Sequence, residues 1–363
     1  MAFQFTLFIV GTAFIFMSGS RLPVHGKVLA DRLGISATAV GLFVLAIVTS
    51  LPELSVTLSA MLAESAPDLA LGNILGSNNF NIAAIAGLEF ALVGGGLLAR
   101  TDGRRFSRTC LLILLVTVVT GAGVLVGGRV RPTALTAALF SLPIVVVFVL
   151  DSVLNRRKRG GRHAAGDGVS GPAVGGETGR PGAGQERVDA PNDTGRSTAY
   201  SAVCFTVLSL LVIGAGVIIS RSATAIAAHP FGGRVVLGQT FVGTLLVAIA
   251  TSLPEVTVAT ASIRNARSPD MAIGTLLGSN SINILVFAVG APLLLTSSRA
   301  TAWSSLDLAN MINVAAGLAL TLLVLAGLRL RWLHRSKARA RLLALALVPI
   351  YLAALWLIRT GGA

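Results

Sequence analysis

Two glutamates, Glu53 and Glu255, stand 202 residues apart in matching surroundings, each the only charged residue of a long apolar stretch and each preceded by Thr-Ser-Leu-Pro. A carboxylate in the middle of a membrane-length segment costs at least about 2.5 kcal/mol on insertion scales, so it needs a partner, a proton or a cation. Hydroxyls and amides surround both: Thr49, Ser50, Ser77 and Asn81 near the first, Thr251, Ser252, Ser279 and Asn283 near the second. All offer oxygen. Ligation by carboxylate, carbonyl and hydroxyl oxygen suits a hard cation such as calcium, and the set has no His or Cys to favour zinc or copper.

The two groups belong to an internal repeat. Residues 41–82 align with 243–284 without a gap, and 19 of the 42 pairs are identical. Thr49-Ser50-Leu51-Pro52-Glu53 matches Thr251-Ser252-Leu253-Pro254-Glu255, Gly76-Ser77-Asn78 matches Gly278-Ser279-Asn280, and Asn81-Ile82 matches Asn283-Ile284. A single string such as Gly72, Gly76, Ser77 and Asn78 would more simply be a helix-packing motif. Two copies, each with an intramembrane Glu beside a proline, argue instead for a site. Pro52 and Pro254 fall mid-span, where the missing N–H and the ring clash free carbonyls of the preceding turn. Such carbonyls persist at membrane depth only where they line a cavity or meet a ligand.

These copies must be held by membrane helices, because a chain 54% hydrophobic and 12% charged is too apolar for an ordinary soluble domain. Apolar runs of about 20 residues favour helices over transmembrane strands, which are half as long. Ten candidate spans result, at 3–18, 34–61, 69–98, 109–127 and 132–151, then 199–220, 235–263, 271–298, 304–328 and 341–358. The expected fold is an all-α polytopic membrane protein with ten transmembrane helices in two five-helix repeats, 1–154 and 199–363. Five helices per half make equivalent helices cross in opposite senses, so the repeats are inverted. Inverted repeats with matched breaks point to a secondary transporter with its ion site near the midplane.

Residues 155–198 hold 11 glycines and three prolines, with no aromatic, Leu or Ile, and read as a flexible tether. The tether opens on Arg156-Arg157-Lys158-Arg159. With both termini outside and the tether cytoplasmic, 23 of the 29 Lys and Arg residues fall on the inner side, as topology requires. The net charge of +14 is therefore a topology signal and not a nucleic-acid face. Cys110 and Cys204 lie in or beside apolar runs and indicate neither a disulfide framework nor a metal cluster. Met1 to Ser20 lacks a basic start and a cleavage site and reads as a retained first helix. Among the other carboxylates, Glu89 is expected to be structural or accessory because its repeat mate is Ala291, Asp151 and Asp307 interfacial, and Asp68 and Asp270 helix caps.

The doubled Thr-Ser-Leu-Pro-Glu followed by Gly-Ser-Asn and a further Asn resembles the two alpha-repeats of the calcium/cation antiporter superfamily, above all its prokaryotic sodium/calcium exchangers. The resemblance implies calcium shared between Glu53 and Glu255 with Thr49 and Thr251. It implies sodium or other cations at Ser50, Ser77, Asn81, Ser252, Ser279 and Asn283 and at the carbonyls of Ala46 and Ala248. It further implies alternating access by sliding of the first and sixth helices, no cofactor beside the transported ions, and a prokaryotic inner membrane as the location. Some relatives carry aspartate where this chain has Asn283, and that form goes with potassium dependence. Proton-coupled relatives usually show Gly-Asn before the glutamate where this chain has Thr-Ser. A proton-coupled divalent antiporter is the nearest alternative, and an intramembrane enzyme using the glutamates as acid and base the more distant one.

Overall fold

The computed structural model describes residues 1–32, 48–91, 97–101, 103–127, 141–142, 145–146, 197–231, 236–264, 269–295, 307–330 and 337–361. Its elements are helical throughout: α1 (Ala2–Gly19), α2 (Leu22–Arg32), α3 (Leu51–Leu62), α4 (Pro67–Ala91), α5 (Gly103–Gly127), α6 (Thr198–Ala228), α7 (Gln239–Arg264), α8 (Pro269–Leu295), α9 (Asn310–Arg329) and α10 (Lys337–Gly361). In lipid only a helix satisfies its own backbone polar groups, so apolar runs of this length have no other choice. The expected spans at 34–61 and 132–151 lie partly and largely outside the described residues, as does nearly all of the tether.

The first helix and the sixth depart from the expected spans. Residues 22–32, expected as a loop carrying Arg21, Lys27 and Arg32, form α2, which continues α1 after a short turn. Leu22 is fully buried and packs with Val48 and Val212, giving this polar-looking segment an apolar anchor. The sixth helix runs on to Ala228, 31 residues in all. At 1.5 Å per residue it is about 46 Å long, more than the ~30 Å hydrocarbon core, so it must tilt or protrude. α6 packs along α1 and α3. Only 22% of its apolar window is buried, against 56% for α7, so α6 presents most of its surface outward.

α4 occupies the centre, in contact with α3, α7, α8, α9 and α10. Pro67 opens it and Pro269 opens α8, where the absent N–H would have had no intrahelical partner. The 25 and 27 residues of α4 and α8 suffice for a crossing, and their middles carry Ser77 to Asn81 and Ser279 to Asn283. One apolar cluster takes in Leu69 to Leu75 of α4 with α3 and α6, and a second takes in Ile82 to Leu88 with α5, α8, α9 and α10. Between them lies a layer of buried polar side chains.

The prolines act differently in the two copies. In the first, the break falls at Ser50, and Pro52 sits in the opening turn of α3, where it is tolerated. In the second, Pro254 lies inside a continuous helix, and the irregularity comes earlier, as a π turn over Gly243–Val247. The expectation of matched breaks at the prolines is thus corrected. The π turn meets α4 backbone to backbone: a Cβ on Gly76 would lie 2.6 Å from the Thr244 Cα, and one on Gly72 would lie 2.8 Å from the Thr240 carbonyl oxygen. Asn313 of α9 donates to the Thr244 hydroxyl at 2.7 Å and braces the same turn.

Candidate cation site

The turn at Ser50 before α3 and the π turn in α7 bring the two glutamates into one buried layer. Glu53 and Glu255 are both fully buried. Ser252 donates to Glu53 Oε1 at 3.1 Å, and Ser279 donates to Glu255 Oε1 at 3.1 Å. Ser50 and Ser279 share a hydrogen bond of 3.0 Å, so hydroxyls of one copy reach the other. The hydroxyls of Thr251 and Thr49 also interact with Glu53 and Glu255 respectively. The second oxygen of each carboxylate, Glu53 Oε2 and Glu255 Oε2, is buried without a hydrogen-bond partner. The ion pair of Arg221 with Glu64 lies away from this layer, and among the described residues no basic side chain pairs with either glutamate.

Ser77 Oγ lies 3.3 Å from Thr251 Oγ1 and donates to the Ala248 carbonyl at 3.5 Å, so α4 of the first copy closes over α7 of the second. One turn further along α4 and α8 stand Asn81 and Asn283, both fully buried. Each has its amide nitrogen bonded and its Oδ1 without a partner. The layer thus holds four orphaned acceptor oxygens, two of them on carboxylates. Buried acceptors without donors are costly, and a cation, a proton or ordered water relieves that cost. The structure places Thr49, Ser50, Glu53, Ser77, Asn81, Ala248, Thr251, Ser252, Glu255, Ser279 and Asn283 in this one layer. Ala46 lies outside the described residues.

Sequence reasoning missed Asn73. Its Oδ1 accepts from Thr251 at 3.1 Å, and its Nδ2 donates to Thr57 at 3.1 Å and to the Glu53 carbonyl at 3.4 Å, tying the two copies together. The signal was present, since Asn73, Ser77 and Asn81 follow one another at i, i+4 and i+8 on one helix face. The repeat mate of Asn73, Thr275, bonds back to Met271 of its own helix instead, so the layer is not symmetric. Two other buried or half-buried carboxylates, Glu89 and Asp68, bond to backbone. Glu89 accepts the Leu97 N–H at 2.6 Å, whereas Asp68 in the first turn of α4 accepts the Asp307 N–H and the Asn310 side-chain amide, both at 2.8 Å, and ties α4 to the segment leading into α9.

The sodium/calcium exchanger protein family model matches residues 3–154 and 200–359, nearly the whole chain on both sides of the tether. The chain belongs to the sodium/calcium exchanger family. The inner membrane protein YrbG of Escherichia coli is 30% identical over 293 residues, covering 80% of this chain and 79% of its own. Among solved structures, the H+/Ca2+ exchanger CAX superposes with a TM-score of 0.60 at 16% identity, covering 98% of this chain and 85% of that one. The sodium-calcium exchanger NCX_Mj superposes with a TM-score of 0.52 at 18% identity, covering 97% of both chains. Those two likenesses speak to fold alone. Membership settles the class: this exchanger is an all-α integral membrane protein and a cation antiporter, not an enzyme.

Proposed function

We propose that this exchanger carries calcium against sodium by alternating access, with calcium bound between Glu53 and Glu255. The observation that carries the reading is the pair of fully buried carboxylates, each with one oxygen held by a serine and the other unpartnered, and neither paired with a basic side chain among the described residues. Two negative charges balance one calcium ion, and charge balance decides what a low-dielectric site holds. In this reading Thr49 and Thr251 complete the calcium shell. Ser50, Ser77, Asn81, Ser252, Ser279 and Asn283, with the carbonyls of Ala46 and Ala248, hold the sodium that replaces it in the other half of the cycle.

α1 and α6 are suited to be the moving pair. They pack on each other, and α6 exposes most of its surface. Gly19 at the end of α1 sits so close to Pro254 that a Cβ added there would lie 2.8 Å from the proline ring. The chain belongs in the inner membrane of a prokaryote with both termini outside and the tether in the cytoplasm, as the distribution of Lys and Arg and the likeness to an inner membrane protein support. Proton coupling is the second reading, favoured by the fact that two carboxylates accept two protons for each calcium released and by the fold shared with CAX. Calcium uptake into vesicles under an imposed sodium gradient or an imposed pH gradient separates them. Sodium-driven uptake at constant pH is the expected result, and uptake driven by pH alone would replace the first reading with the second.

A further inference from the structure

An asparagine at a cation site is useful in only one of two orientations, since a half-turn of its amide replaces the ligand oxygen with an N–H donor. What fixes that half-turn here is visible in the hydrogen bonds behind Asn81 and Asn283. The carbonyl oxygen of Asn78 can only accept, and Asn280 Nδ2 lies 3.0 Å from it. Asn280 is therefore held with its nitrogen toward Asn78 and its Oδ1 turned the other way. That Oδ1 accepts from Asn81 Nδ2 at 3.0 Å, which leaves Asn81 Oδ1 as the free, buried oxygen.

The opposite arm repeats the design across the two copies: Asn283 Nδ2 donates to Asn78 Oδ1 at 3.1 Å, and Asn283 Oδ1 is buried and free. It lacks the anchor, because Asn78 Nδ2 has no partner. Asn78 and Asn283 can turn over together and exchange donor for acceptor without losing their bond, whereas Asn280 cannot turn without giving up the backbone carbonyl. Neither Asn78 nor Asn280 is itself in the proposed ligand set, yet both are almost fully buried behind it.

Resting on the cation site proposed above, we infer that Asn280 is a positioning residue that locks Asn81 with its oxygen toward the ion, while Asn78 holds Asn283 by a reversible arm. Asn81 is then a fixed oxygen ligand and Asn283 an adjustable one. Outer-shell partners of metal ligands typically change affinity by about 10- to 100-fold when removed, and a loss of that size is expected here.

The test is calcium titration of the purified protein, reading binding and not transport, for Asn280→Leu alone and together with Asn81→Asp. A carboxylate presents oxygen in either orientation, so it has no need of Asn280. The expected result is a loss of roughly tenfold or more in calcium affinity with Asn81 in place, and little or no loss from the same substitution on the Asn81→Asp background. Equal losses on both backgrounds would show a merely structural role, and an unchanged affinity on the natural background would equally overturn the inference. Asn280→Ser serves, with the same criteria, where the leucine variant is not monodisperse. Asn78→Leu should cost less than Asn280→Leu, and the reverse order would contradict the inequality of the arms. Glu53→Gln, titrated in parallel, separates the two levels: if it leaves calcium binding intact the site itself is wrong, and if it removes binding while Asn280→Leu does not, only this inference falls.

Discussion

At the level of single residues, the repeat exposes the proposed ligands more readily than what orients them. Glu53, Glu255, the paired Thr and Ser residues, Asn81 and Asn283 were legible because a polar residue that recurs at matched positions in two apolar segments has to be explained twice. Asn73 was not, because its mate is Thr275 and the pairing drops out. The bracing role of Asn78 and Asn280 was hidden for another reason: it depends on a backbone carbonyl supplied by the opposite copy. Asn283→Asp is informative at this scale. It removes the donor to Asn78 Oδ1, but the idle Asn78 Nδ2 can turn to donate in its place, so the variant should fold. The third carboxylate makes the site over-negative for one calcium and adds a titrating group. Calcium uptake measured against pH and sodium should shift in both dependences, and profiles identical to wild type in an active variant would remove Asn283 from the site.

Among the helices, the sequence identified most spans but misjudged where they bend. A proline in a transmembrane helix removes one hydrogen bond and need not break the helix when neighbours support it. Pro254 shows this, and the bend it was expected to make appears instead as the π turn at Gly243–Val247, created where backbone meets backbone. π turns recur at functional sites, and this one leads directly into Ala248 and Thr251. Its fit against α4 can be tested. A Cβ on Gly76 would fall 2.6 Å from the Thr244 Cα and 2.7 Å from its carbonyl oxygen, atoms that cannot yield, whereas one on Gly87 would meet nothing within 4 Å. Overpacking of this kind costs about 1–3 kcal/mol or more. Gly76→Ala should lower the thermal transition of the purified protein by several degrees and reduce transport, while Gly87→Ala, which also improves helix propensity, should do neither. Equal stability of the two variants would refute the close approach.

Across the whole molecule, the two repeats are not neighbouring domains that happen to be alike, because the polar layer is assembled by exchange between them. Ser252 of the second copy holds Glu53 of the first, Ser50 of the first holds Ser279 of the second, and the amides of Asn81 and Asn283 cross to Asn280 and Asn78. The two asparagine bonds are a reciprocal pair, as are the contacts of Thr251 with Glu53 and Thr49 with Glu255, which is what a two-fold relation between inverted repeats requires. A site built this way is single, and neither half contains a complete version of it. Calorimetric calcium titration of wild type, Glu53→Gln and Glu255→Gln reads this property directly. One calcium per chain for wild type, and strong loss of binding in each single variant, is the outcome that a shared site demands. Two calcium ions per chain, or a single variant that keeps half of the binding at wild-type affinity, would mean that each repeat binds its own ion and that the two glutamates do not act together.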